Sequence, residues 1–105
     1  MRNGRECAHD SMSPPVYLPF HPTPQGLFCD GVSVQSIVER VGTPAYVYSA
    51  RGVREAYRAI DEAFAGYPHA IHYALKANSS LALVRVLQQA GSGADANSIW
   101  EIDVE

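Results

Sequence analysis

The sequence predicts an α/β fold with parallel strands, and three observations carry that prediction. Short β-rich runs alternate with helical runs along residues 45–97. The helical runs repeat apolar residues at three- and four-residue spacing. Gly, Pro or Ser punctuates each run where a cap or a stop is needed. The resulting order is strand, helix, strand, helix, strand, in which each helix serves as the crossover between strands running the same way.

Residues 1–26 stand apart from this pattern. They hold five of the seven prolines, Pro14, Pro15, Pro19, Pro22 and Pro24. Proline fixes φ and removes a hydrogen-bond donor, and no periodic apolar pattern survives there. The segment reads as an extended or disordered lead-in that lays Val16, Tyr17, Leu18 and Phe20 on a partner surface. His9 and His21 fall within it and read as solvent-exposed.

From Leu27 the chain becomes organised, and residues 27–105 are taken as one unit. Leu27-Phe28-Cys29, Asp30-Gly31 and Val32-Ser33-Val34 predict a short hairpin, because Asp-Gly favours a turn with positive φ. A helix is predicted over residues 34–41, with Ser33 as its cap and Gly42 as its stop. Thr43-Pro44 interrupts, and Ala45-Tyr46-Val47-Tyr48 has the composition and length of a strand. Val53, Ala56, Tyr57, Ile60, Ala63 and Phe64 then recur at helical spacing, with Arg54, Glu55, Arg58, Asp61 and Glu62 mainly opposite. Gly66 and Pro68 end this helix, and Tyr57 and Phe64 read as core residues. A strand is predicted over residues 70–76, followed by Asn78-Ser79-Ser80 as helix-start chemistry. The next helix covers residues 81–90 with Gly91 after its end. Gly93-Ala94-Asp95-Ala96-Asn97 is the last predicted strand.

Length and charge bound the function. A chain of 105 residues fits one domain. A net charge of -3 offers no basic face for nucleic acid. Cys7 and Cys29 form neither a disulfide framework nor a metal-ligand spacing, and read as free thiols in a reduced compartment. No apolar run follows the charged N-terminus, as a secretory signal requires. No stretch approaches the roughly 20 apolar residues of a membrane span. The expectation is a soluble, cytoplasmic protein.

The segment that carries chemistry is Ala70-Ile71-His72-Tyr73-Ala74-Leu75-Lys76. Read as a strand, it puts Ile71, Tyr73 and Leu75 on one face and Ala70, His72, Ala74 and Lys76 on the other. The first face is bulky and suited to packing under helices. The second is small or polar and ends in the chain's only lysine. Ligands of open α/β sheets and of barrels bind beyond the C-terminal ends of the strands. A lone strand-end lysine is more commonly a solvated decoration, so the residues by themselves leave both readings open. His72 reads as a core histidine, Tyr73 as packing, and Asn78 and Ser79 as caps.

Four segments resemble a known family. Tyr73-Ala74-Leu75-Lys76-Ala77-Asn78 is similar to the Tyr-Ala-x-Lys-Ala-Asn motif of the alanine-racemase-like, fold type III pyridoxal-phosphate decarboxylases. Gly42-Thr43-Pro44-Ala45-Tyr46-Val47-Tyr48 resembles the Gly-Thr-Pro-x-Tyr-Val-Tyr segment of diaminopimelate decarboxylases. Asp30-Gly31-Val32 matches the element before it, and Gly91-Ser92-Gly93-Ala94-Asp95 the Gly-x-Gly-x-Asp that follows the lysine helix. Together they cover residues 27–98 in order. The resemblance implies pyridoxal phosphate held by Lys76, because lysine's amine titrates readily on burial and can be displaced by a substrate amine. It implies Asp95 as a second cofactor-binding residue, its charge favouring the protonated nitrogen. It further implies decarboxylation of meso-diaminopimelate to L-lysine, an amino-acid substrate and a homodimer. A related decarboxylase or racemase, or a non-catalytic or vestigial pyridoxal-phosphate-binding fragment, is the alternative.

The resemblance weakens after Asp95. Ile99 and Trp100 stand where the family more often has glycines, and bulk there changes how closely backbone can approach. Trp100 reads as packing against a partner subunit. A (β/α)₈ barrel needs roughly 250 residues, so the expectation is a partial alanine-racemase-like TIM barrel. It would comprise the first βα units, preceded by a short β or irregular N-terminal segment. Such a truncated unit, with an unpaired sheet edge, is expected to be marginally stable and inactive alone.

Overall fold

The computed structural model of the chain describes residues 16–99. The expectations for Cys7, His9, Pro14, Pro15 and Trp100 lie outside these residues. The described part is α/β, in two segments. The first is a three-stranded antiparallel sheet, β1 (Phe20–Thr23), β2 (Gly26–Cys29) and β3 (Val32–Ser33), in that spatial order. It leads into helix α1 (Val34–Val41). The second segment is helix α2 (Ala50–Ala63), strand β4 (His72–Ala74), a 3₁₀ turn (Leu75–Ala77), helix α3 (Leu81–Ala90) and strand β5 (Gly93–Asp95).

The expected hairpin is present. Asp30 and Gly31 both have positive φ, 51° and 82°, the geometry that lets a two-residue loop follow the twist of the strands it joins. β1 was not expected. It lies inside the proline-rich lead-in, so hydrogen-bonded pairing begins upstream of residue 27. Phe20 faces Cys29 and Thr23 faces Gly26. Pro22 is tolerated because β1 is an edge strand, where a missing N–H is harmless. Tyr17 also packs on its own chain, its ring lying 4.6 Å beneath the Arg51 guanidinium carbon, whereas Val16 and Leu18 stay exposed.

Asp30 ties this sheet to α2. Its backbone N–H donates to the Pro19 carbonyl at 2.9 Å. Its carboxylate accepts from the Ser49 hydroxyl at 2.6 Å and from the Tyr17 hydroxyl. Ser49 is buried and caps α2, accepting from the Gly52 N–H at 2.7 Å. The carboxylate therefore sits at the positive end of a helix. The bonds from Ser49 and Tyr17 hold its pKa below the usual aspartate value.

α1 runs over residues 34–41 as expected, with Ser33 capping through the Ser36 N–H and Gly42 stopping it. Ala45–Tyr48, expected as a strand, belongs to no helix or strand and has no strand partner among the described residues. Its Tyr46 and Tyr48 rings stack at 6.4 Å. α2 is a helix with no buried residue. Tyr57 is half-buried and Phe64 is exposed, so neither is the core residue expected. Beyond α2, His69 bonds Asp61 at 2.6 Å and the Tyr67 carbonyl at 2.8 Å. Both partners are acceptors, an arrangement that favours the imidazolium form. The carbonyl and the carboxylate accordingly raise the histidine pKa.

β4 and β5 pair in parallel, His72 with Gly93, Tyr73 with Ala94 and Ala74 with Asp95. α3 connects them, so the unit is the predicted βαβ crossover. Both strands are shorter than the predicted runs 70–76 and 93–97, because a ladder lasts only where both partners are extended. Leu75 and Leu87 are the buried apolar anchors, 1% and 7% exposed. Burying such a leucine stabilises by about 1.5–3 kcal/mol. Tyr73, Leu75, Val84 and Leu87 line one apolar groove between the strands and α3, and α3 also packs on α2. Gly91 ends α3 at φ +107°, with its own N–H donating to the Gln88 carbonyl and the Ser92 N–H to the Leu87 carbonyl.

Two predictions follow from these anchors. Gly91→Ala should lower stability by about 1–2 kcal/mol, the cost of a left-handed L-residue. Gly66→Ala, where a Cβ meets nothing and φ is not positive, should leave it unchanged; urea titration compares them. Asp30 should make stability acid-sensitive. Its folded-state pKa is depressed, so its contribution is complete above the ordinary value of about 3.9 and is lost as pH falls through the folded value. Thermal midpoints of the parent should exceed those of Asp30→Asn at pH 7, and the gap should close in acid.

Candidate functional site

The C-terminal edge of the β4–β5 pair gathers the residues singled out by sequence. The register places Ala74 opposite Asp95, and Lys76 follows two residues later on the same edge. Lys76 is not on the strand itself, as the alternation implied, but within the 3₁₀ turn that begins at Leu75. Backbone turns there because Leu75 buries completely while its neighbours Lys76 and Ala77 stay exposed. Among the described residues the Lys76 side chain makes no hydrogen bond or ion pair. Asp95, at the end of β5, is exposed as well.

The small neighbours expected around the lysine are in place. Ala74, before the turn, is half-buried, and Ala77, its last residue, is exposed. His72 differs from its expectation. It is exposed rather than core, and its imidazole lies over Gly93, whose hypothetical Cβ would come within 2.7 Å of Nδ1. Gly93 thus marks a close approach of the His72 ring within the strand. Ile99, on the glycine-replacing stretch, is 70% exposed.

Sequence reasoning missed a role for Tyr73. Its ring packs in the α3 groove, as its face implied, but its hydroxyl reaches past the turn and donates to the Asn78 carbonyl at 2.7 Å. The Asn78 side chain in turn accepts from the Ser80 N–H at 3.0 Å, but the N-cap of α3 is Ser80, whose side chain makes no capping bond, so neither Asn78 nor Ser79 is the cap expected. The available signal was residue type: a half-buried tyrosine normally finds a partner for its hydroxyl.

Comparison with known proteins places this geometry. Residues 50–104 match the family described as pyridoxal-dependent decarboxylase, pyridoxal binding domain. The chain is 46% identical over 77 residues to the diaminopimelate decarboxylase of Pseudomonas aeruginosa, covering 73% of this chain and 19% of that protein. It is 41% identical over 78 residues to the Methanothermobacter thermautotrophicus enzyme of the same name, with 72% and 18% covered. A crystal structure of diaminopimelate decarboxylase from M. jannaschii, in co-complex with L-lysine, superposes with a TM-score of 0.75 at 33% identity. That superposition covers 81% of this chain and 21% of the other. The chain thus spans about a fifth of the length of the relatives it matches. Among the described residues no helix is long and apolar enough to cross a membrane.

The cofactor this match implies is pyridoxal phosphate. The donor chemistry of the edge fits it. An aldehyde cofactor requires a primary amine free of other bonds, with room around it, and Lys76 is the chain's one lysine and is uncommitted. The matched segment includes β4, the lysine turn and β5, which are the elements that build the edge. By that match and by its fold, the chain belongs to the pyridoxal-dependent decarboxylase family.

Proposed function

We propose that residues 27–105 carry the first βα units of an alanine-racemase-like barrel, in which Lys76 is the attachment point for pyridoxal phosphate. The observation that carries this reading is an amine on the C-terminal edge of a parallel βαβ unit that makes no hydrogen bond or ion pair among the described residues. The upstream segment is a lead-in fastened to that unit through β1 and Asp30. For a protein of the relatives' full length, the proposed reaction is decarboxylation of meso-diaminopimelate to L-lysine and carbon dioxide. The identity to proteins named diaminopimelate decarboxylase favours this substrate over other amino acids. A cytoplasmic homodimer belongs to the same reading.

When bound, pyridoxal phosphate supplies an electron-accepting ring for the carbon that loses carbon dioxide. The chain's own residues bind and orient. The Lys76 Nζ, a primary amine at the strand end, would hold the group. The Asp95 carboxylate, on the adjacent strand end, would favour a proton on that nitrogen once the group is held. Leu75 holds the turn down, and Ala74 and Ala77 leave space beside it.

The test is to mix the purified chain with pyridoxal phosphate, reduce with borohydride and map the peptides. The adduct is expected on Lys76, and Lys76→Ala should abolish side-chain labelling. Asp95→Asn should raise the half-saturating concentration about two- to fivefold, the size of an exposed charge pair. Label confined to the terminal α-amine of the parent would overturn the reading.

A further inference from the structure

The lysine turn is short, and its tether lies outside it. A 3₁₀ turn of three residues has poor hydrogen-bond geometry and little persistence of its own. Here its first residue is preceded by Ala74, with no side-chain cap, and Asn78 leaves it in an extended conformation, φ -167° and ψ 112°. That extended exit turns the Asn78 carbonyl into an available acceptor. Tyr73, the residue before Ala74, fills it: the hydroxyl bridges five positions and closes a loop that contains Lys76. Leu75 anchors the same loop from within. Packing alone would be served by phenylalanine, since the ring already lies in the groove with Val84 and Leu87. The hydroxyl does something more.

We infer that Tyr73 is a positioning residue for Lys76, its bond to the Asn78 carbonyl holding the turn so that the amine meets a cofactor aldehyde in one orientation. The inference rests on the proposed attachment of pyridoxal phosphate at Lys76. Tyr73 acts through the backbone of residues 75–78, which its hydroxyl bond closes into a loop. Asn78 contributes its main chain to the bond, while its side chain serves the Ser80 N–H.

Because the chain has one lysine, the Lys76 peptide reads every amine reaction at the site. Formaldehyde with cyanoborohydride methylates any exposed amine, whereas trapping of pyridoxal phosphate also depends on how the amine is presented. Tyr73→Phe is expected to slow pyridoxal-phosphate trapping about fivefold, the size of one neutral hydrogen bond, and to leave methylation unchanged. Hydrogen exchange should quicken across residues 75–80 and not across α2. Equal trapping rates in parent and variant would overturn the inference, as would exchange that rises equally in α2. Should the parent take no pyridoxal phosphate on Lys76, the attachment reading fails. The exchange comparison then decides the tether: faster exchange confined to 75–80 upholds it, and unchanged exchange overturns it.

Discussion

The parallel ladder between β4 and β5 is the constraint on which the candidate site depends. Parallel strands cannot be joined by a tight turn, so α3 must carry the chain back before the second strand can pair. Three paired positions, His72–Gly93, Tyr73–Ala94 and Ala74–Asp95, fix where each strand ends. Only with that register do the residues beyond Ala74 emerge beside Asp95. The same pairing turns Tyr73 and Leu75 toward α3, whose Val84 and Leu87 complete the groove. Burial on one side and openness on the other are thus two results of a single alignment.

A second fastening, independent of the first, joins the antiparallel sheet to the helical part. Asp30 is shared between a hairpin turn, the Tyr17 hydroxyl and the Ser49 cap of α2. A charged acceptor bound by hydroxyl donors at a helix start makes a stronger link than neutral groups would. The connection matters because few apolar side chains are buried among the described residues, Cys29, Leu75 and Leu87. Where hydrophobic burial is this small, individual polar links carry a larger share of the order.

Features written in local chemistry were legible from the sequence. Ser33 and Gly42 mark the limits of α1, Gly91 marks the end of α3, and Asp30-Gly31 marks a positive-φ turn; each acts through its own backbone. Features set by a distant partner were not. β1 escaped notice because proline hides a strand whose pairing is decided by β2. Ala45–Tyr48 has strand composition without a strand neighbour among the described residues, so composition alone overstates it. The run 70–76 has the right faces, yet alternation cannot tell where the ladder stops and a turn begins. The motif around Lys76 pointed to an amine at a strand end. It said nothing of the reach of the Tyr73 hydroxyl, which depends on the path of the backbone four residues further on from Ala74.

The nesting of His72 on Gly93 has a consequence for how such a sequence can change. The imidazole occupies the volume that a methyl at position 93 would need. The two positions therefore behave as one shared space rather than two sites. Enlarging the second position makes the ring at the first swing aside or give way to a smaller side chain. A glycine that looks like flexibility is, at this point in the strand, the imprint of its neighbour's ring.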